Sequence, residues 1–158
     1  MKMKNYYMQQ YKSELWLPID LNHAWDFFSS PMNLEKITPP DLDFKVLSRQ
    51  LNNKIYNGML IDYSVKPIFG IKMNWKTEIV NVSEQKYFTD KQLKGPYRLW
   101  EHTHYFEEKN GGVLMTDVVN YKLPLGIIGL FVHHLLVRSR IESIFNFRTT
   151  VLKQLFAA

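Results

Sequence analysis

The side chains best suited to chemistry lie at alternate positions in one short stretch: Trp100, His102, His104 and Phe106. Alternate residues of a β-strand point to the same face, so two imidazoles would lie between two large aromatic rings. Imidazole changes its protonation near neutral pH and also binds metal ions. The stretch therefore predicts either a reactive site or the polar part of a packed wall.

Two carboxylates in neighbouring runs, Asp90 and Asp117, could complete this site. His102 and His104, together with Asp117, are residue types that bind zinc or iron, but no third strong ligand lies near the two histidines in sequence, so we expect no metal. If the protein is an enzyme, these three residues would move protons in a cyclisation or dehydration. The alternative, which we favour, is a polar network that fixes the sheet or orients a ligand.

The composition excludes several other kinds of site. The 158 residues suit one domain, 1–158, and the absence of cysteine removes disulfides, thiolate nucleophiles and zinc–cysteine sites. The formal net charge of +5 comes from scattered Lys and Arg, which indicates a solvated surface and no nucleic-acid partner. The sequence has no phosphate-binding glycine loop, nucleophile elbow or dinucleotide fingerprint.

The apolar segments predict a cytoplasmic protein. No signal-like apolar run follows the first lysines, and the apolar stretch 123–137 is too short and too interrupted to span a bilayer. It could still contact a membrane transiently. Within it, residues 124–131 contain two glycines, so this segment is either a gate to an interior space or a packed hinge.

The elements that must position these residues can be read from the spacing of apolar positions. Residues 6–17 predict a strand, Asp20 or Asn22 can cap a short helix, and a second short helix follows over 34–37. Period-two patterns then predict antiparallel strands over 42–46, 59–66, 71–79, 86–93, 98–107 and 113–123. The final segment, 128–156, predicts a long amphipathic helix.

A long helix packed across a curved sheet of six or seven strands gives an α+β fold with a cavity between the two layers. Arg148 falls within the apolar stripe of the helix, so it would either pair with Asp90 or Asp117 or meet an acidic headgroup. The residues predicted to bind a ligand are Tyr63, Met73, Trp75, Phe88, Asp90, Gln92, Trp100, His102, His104, Asp117, Tyr121 and Arg148.

The spacing Phe-x-Asp-x-Gln-x-x-Gly-Pro-Tyr-x-x-Trp-x-His-x-His-x-Phe, from Phe88 to Phe106, resembles the SRPBCC superfamily, also called START or Bet v 1-like. The run from Asp117 to Gly126 looks like the matching last strand and its exit. More narrowly, the chain is similar to stand-alone members named polyketide cyclase/dehydrase or coenzyme Q-binding proteins, and to a domain fused to some epimerase-like proteins.

This resemblance implies a helix-grip fold with two short helices after the first strand and a deep cavity for a lipid, quinone or polyketide-like molecule. It implies no cofactor and transfers no catalytic residue, because the fold serves transport, sensing and catalysis alike. Ligand binding is therefore the expected function. The alternatives are a cyclase or dehydratase, and a regulatory module that binds another protein.

Overall fold

A curved seven-stranded antiparallel sheet organises the chain, in the order β1-β7-β6-β5-β4-β3-β2. The structure is a computed structural model in which residues 8–48, 54–67, 69–124 and 136–157 are described. The strands are β1 (Gln9–Leu17), β2 (Lys45–Val46), β3 (Leu60–Val65), β4 (Met73–Ser83), β5 (Tyr87–Lys94), β6 (Leu99–Lys109) and β7 (Gly112–Lys122). The helices are α1 (Leu21–Phe28) and α2 (Arg138–Leu155). The predicted α+β helix-grip fold is confirmed.

Two short helical segments follow β1, as predicted. Asp20, not Asn22, caps α1: its Oδ1 accepts a 2.8 Å hydrogen bond from the backbone N–H of His23. The second segment, Pro31–Ile37, is a 3₁₀-helix. Along the chain, both segments lie between β1 and β2. Their residues line one end of the space between the sheet and the C-terminal helix.

The strand predicted over 42–46 is much shorter in the structure. A 3₁₀-turn over Pro40–Leu42 precedes it, and Asp43 then adopts a left-handed conformation with φ of 43°. That turn interrupts the extended backbone, so the regular ladder with β3 is reduced to Lys45–Val46. Likewise the run predicted from residue 71 begins at Met73, and Ile71 is exposed.

The curvature of the sheet has a local cause in the β4–β5 pair. The register shifts between Lys76 and Thr77 and again between Val80 and Ser83. Such bulges bend a strand and increase its twist. In contrast, β6 and β7 pair in one register over their whole length, so the alternate residues of these two strands keep to one face.

Helix α2 buries one stripe against the concave face of the sheet: Ile141, Phe145, Arg148 and Leu152. Leu155, near the end of the helix, is half exposed, and Phe156 just beyond the helix packs with Leu152. Residues 125–135 lie outside the described residues, and with them the predicted helix start and most of the segment 124–131, which was predicted to be either a gate or a hinge. None of the described helices is long and apolar enough to cross a membrane.

Candidate functional site

A cavity of about 140 Å³ lies between the concave face of the sheet and α2. A smaller one of about 40 Å³ lies deeper in the protein. For comparison, an engineered protein cavity of about 150 Å³ holds one benzene molecule. The larger cavity can therefore enclose a group the size of one ring.

The two cavities follow one another along the strands. On β4, Trp75 and Thr77 line the larger cavity, and Ile79 lines the smaller one. On β6, Trp100 and His102 line the larger cavity, and His104 lines both. Because successive residues on one strand face are about 6–7 Å apart, these positions form layers from an outer aromatic end to a deep polar end.

The deep end is a layer of residues that line both cavities: Leu34, Tyr63, Asp90, His104 and Arg148. Asp90 and His104 come from neighbouring strands, and Arg148 comes from α2. Three side chains that can carry a charge at neutral pH therefore meet between the two cavities. We call the five residues that line both cavities the polar partition.

The two histidines bind the two aspartates in a crossed arrangement. His102 lies opposite Asp90 in the sheet, and His104 lies opposite Asp117. The hydrogen bonds nevertheless run diagonally, from His102 Nε2 to Asp117 Oδ1 at 2.7 Å and from His104 Nε2 to Asp90 Oδ2 at 2.9 Å. His104 Nδ1 also lies 2.9 Å from Asp117 Oδ1, but it is not aligned for a hydrogen bond.

This arrangement separates the pKa values of the two imidazoles. Burial, reinforced by the charge on His104, lowers the pKa of His102 to about 4 despite its bond to Asp117. Burial also opposes a charge on His104, but the nearby carboxylates of Asp117 and Asp90 outweigh it and raise its pKa to about 9. At pH 7 the pair therefore carries one positive charge, on His104, and His102 is neutral.

Asp117 is the anion that joins the two histidines. Burial alone would raise the pKa of its carboxyl, but the two imidazoles outweigh burial and hold that pKa well below its ordinary value. An ionised carboxylate can only accept hydrogen bonds, so His102 must carry its hydrogen on Nε2. The aromatic faces of this network are also covered, because His104 stacks on Phe88 with ring centroids 4.4 Å apart.

Arg148 differs from the other ionisable groups because it lacks a direct partner. It is 7% exposed, and its Nε and Nη1 atoms have no hydrogen-bond partner among the described residues. No described carboxylate lies within the 4 Å of an ion pair. Burial lowers the pKa of its guanidinium, and the more distant charges of Asp117 and Asp90 oppose this effect. The ion pair predicted with Asp90 or Asp117 is therefore not formed.

The outer end of the larger cavity is aromatic. Trp75 and Trp100 meet edge to face at 5.4 Å, and Tyr97 packs 4.7 Å from Trp100 and 5.6 Å from Trp75. All three residues line the cavity. Such rings offer large apolar faces and edges to a further ring.

One cluster has the donor types of a metal site. The ligand atoms of Asp90, His102 and His104 all lie within 4.8 Å of one another. Asp90 thus supplies the carboxylate that sequence reasoning assigned to Asp117. Each of these residues is also engaged in a hydrogen bond to its aspartate or histidine partner, and the buried cation Arg148 lies in the same layer. These features oppose a bound cation.

The predicted ligand-binding residues divide into two groups. Eight of them line a cavity: Tyr63, Trp75, Phe88, Asp90, Trp100, His102, His104 and Arg148. Four line neither of these two cavities: Met73, Gln92, Asp117 and Tyr121. Gln92 instead donates a 2.6 Å hydrogen bond to the carbonyl oxygen of Tyr97, and Tyr121 packs beside Trp100 on the neighbouring strand. Asp117 contacts both histidines from β7.

Sequence reasoning missed the helix side of the cavity. Besides Arg148, α2 contributes Arg140, Ile141, Ile144 and Phe145. Their spacing is one face of a helix, so Arg148 together with the 3.6-residue period could have identified them. Arg140 sits near the surface, where its Nη2 lies 2.7 Å from Asp41 Oδ2, and it lies eight residues, about 12 Å of helix, from Arg148.

Comparison with known proteins supports the fold. No protein-family model and no curated protein matches the sequence. Among solved structures, ginseng major latex-like protein 151 from Panax ginseng has a TM-score of 0.70 at 15% identity, covering 96% of this chain and 99% of that one. The di-domain ARO/CYC protein BexL of the BE-7585A biosynthetic pathway has a TM-score of 0.71 at 14% identity, covering 96% and 51%.

A bacterial protein of similar fold is Ms6760 from Mycobacterium smegmatis, with a TM-score of 0.64 at 20% identity, covering 94% of this chain and 92% of that one. The likeness extends over nearly the whole chain in all three comparisons. The chain therefore shares its fold with these three proteins, as the sequence resemblance implied for the helix-grip architecture.

Proposed function

We propose that this protein binds a small amphipathic molecule in the cavity between the sheet and α2. The observation that carries the proposal is the combination of a largely apolar space between sheet and helix with a buried ionic layer at its deep end. Ligand pockets typically combine apolar walls with a few polar groups that fix orientation. The similar folds of the latex-like and ARO/CYC structures agree with a ligand-binding framework.

The size of the cavity limits which part of a ligand is enclosed. A space of about 140 Å³ limits the enclosed part to about one ring, with at most a short arm. A lipid, quinone or polyketide-like molecule would place only a ring-sized end here. The aromatic residues Trp75, Tyr97 and Trp100 would contact the apolar body, and the polar partition would orient a polar group.

Calorimetric titration with indole, a neutral molecule of about this size, tests the proposal. The wild-type protein is expected to bind it, and Ile144→Trp, which fills the cavity from α2, is expected to reduce binding at least ~10-fold. Ser143→Trp is the matched control because Ser143 is the exposed neighbour on the same helix. Equal binding by both variants would place indole outside the cavity and contradict the proposal.

The natural ligand can be sought separately. Native mass spectrometry of the protein purified from its own host is expected to show a retained apolar or amphipathic molecule. The same measurement on Ile144→Trp should show much less of that molecule. A wild-type chain without any retained molecule would weaken the proposal.

Acid–base catalysis is a second candidate, which one observation favours. His102 and His104 are adjacent, with ring centroids 3.8 Å apart, and their pKa values are shifted in opposite directions. Such pairs often divide into an acid and a base. A polyketide cyclase or dehydratase would use His104 as the proton donor.

His104→Gln separates the two candidates, because glutamine keeps a side-chain hydrogen-bond donor but cannot transfer a proton at neutral pH. A catalytic role predicts ligand binding near the wild-type level with turnover of a polyketide-like substrate lost. Binding and turnover that both persist in His104→Gln would exclude His104 as the acid.

A further inference from the structure

The guanidinium of Arg148 is a buried cation that lacks a directly bonded anion. It is 7% exposed, and two of its three nitrogens have no hydrogen-bond partner among the described residues. An arginine remains charged in proteins, so it cannot reduce the cost of burial by losing its proton. Such a group gains most from a ligand that brings an anionic acceptor.

The other charges of the site are already engaged with one another. Asp117 accepts a hydrogen bond from His102 and lies against His104, and Asp90 accepts from His104. The positive charge of His104 is thus shared by two carboxylates, whereas Arg148 interacts with them only at longer range. Its carbon Cζ lies over the ring of Phe145, 4.9 Å from the centroid, which offers no anion.

The position of Arg148 indicates how a ligand would be oriented in the cavity. It lies in the polar partition, at the deep end of the larger cavity, whereas Trp75, Tyr97 and Trp100 line only the larger cavity. A molecule with an aromatic ring at one end and an anion at the other would match both ends. With about 140 Å³ between them, the ring can be single and the arm short.

We propose that the cavity selects a small monocarboxylic acid with one aromatic ring, whose carboxylate binds Arg148 and whose ring packs against Trp75, Tyr97 and Trp100. This proposal rests on the proposed function and specifies its ligand. A planar carboxylate of one negative charge suits one guanidinium, since arginine recognises such groups through parallel N–H bonds. A phosphate dianion would need a second free cation, and His104 is already paired.

Isothermal titration with 3-phenylpropanoate and with 3-phenylpropanamide tests the proposal, because the two probes have nearly the same shape and differ in charge. The wild-type protein is expected to bind the acid at least ~10-fold more tightly, as for a charge-assisted hydrogen bond in a buried site. In Arg148→Met the acid should lose at least ~10-fold and the amide less than ~3-fold.

Arg138→Met is the matched control, since it removes the same charge from an exposed position on the same helix. It should bind both probes as the wild type does. Arg148→Lys, which keeps the charge but not the fork of donors, should retain part of the preference for the acid. If Arg148→Met does not fold, the preference in the wild type and its decrease in Arg148→Lys still decide the question.

The outcomes separate this proposal from the proposed function. If indole and the amide bind but the acid binds no better, the carboxylate proposal fails and ligand binding stands. If the preference for the acid survives in Arg148→Met, the carboxylate binds elsewhere and the proposal fails. If indole, amide and acid all fail to bind, both proposals fall together.

Discussion

His102 and Asp90 are directly opposite each other in the sheet, yet each is hydrogen-bonded to a diagonal neighbour. His102 bonds to Asp117 on β7, and Asp90 bonds to His104 on β6. The crossing places His104 between two carboxylates and leaves His102 with one. This asymmetry explains why the positive charge of the pair resides on His104.

The pH dependence of stability should show a maximum near pH 6.5. The folded-state pKa of His104 is raised from 6.5 to about 9, so its stabilising effect is complete below pH 6.5 and is lost as the pH rises towards 9. The folded-state pKa of His102 is lowered to about 4, so the unfolded chain binds more protons as the pH falls from 6.5 towards 4. Urea unfolding from pH 4.5 to 9 measures both limbs.

Histidine variants can show which histidine causes the alkaline limb and which causes the acid limb of the stability profile. A shift of one pKa unit corresponds to about 1.4 kcal/mol, so the alkaline limb should amount to up to ~3 kcal/mol in the wild type. His104→Gln should flatten the alkaline limb, and His102→Gln should reduce the acid limb. His23→Gln, at an exposed position, should keep both limbs. An alkaline limb that persists in His104→Gln would contradict the assignment.

Replacement of Arg148 by methionine should increase stability. The substitution removes a buried guanidinium with two unpartnered nitrogens and leaves an apolar chain of similar length beside Phe145. We expect the free energy of unfolding to rise by about 1–3 kcal/mol in thermal and urea unfolding, because the cost of burying the charge is removed. Arg138→Met should instead lose ~0.5 kcal/mol with its ion pair to Glu142. A clear loss of stability in Arg148→Met would show that distant carboxylates compensate its charge.

The sequence was sufficient to predict the fold and the shared face of the histidines, because both follow from periodicity. Period two indicates which residues share a face, and Trp100, His102 and His104 do line one cavity. The crossed bonds could not be predicted in this way. Whether a side chain meets its direct or its diagonal partner depends on the twist of the sheet and on rotamers.

The sequence also could not show which residues along one strand face lie within the cavity. Met73 and Gln92 were assigned to the cavity by alternation, but Met73 begins β4 and Gln92 turns towards the Tyr97 carbonyl. The unpartnered state of Arg148 was equally inaccessible, since it depends on distances between α2 and two strands. Spacing predicted that Arg148 lies in the buried stripe, and the structure decided which groups it can reach.

The cap of α1 can be tested at Asp20 and Asn22, between which the sequence alone did not decide. Asp20→Ala should destabilise the protein by about 1 kcal/mol, because Asp20 Oδ1 accepts the hydrogen bond from the His23 N–H. Asn22→Ala should cost less than ~0.5 kcal/mol, since Asn22 makes only an exposed side-chain bond to Gln85. Thermal unfolding of both variants provides the comparison. A larger effect for Asn22→Ala would contradict the observed cap.

Two neighbouring residues of α2 should respond very differently to truncation. Phe145 is buried and packs against the rings of Tyr11 and His102, at 4.8 and 5.5 Å between centroids. Phe145→Ala should therefore cost about 3–5 kcal/mol in urea unfolding, as for other large core residues. Both residues border the cavity, but Ile144 is only half-buried, so Ile144→Ala removes fewer contacts and should cost ~1 kcal/mol. Ile144→Ala should also enlarge the cavity and admit a bulkier ring. Equal losses of stability in the two variants would mean that the space beside Ile144 is filled by packed side chains.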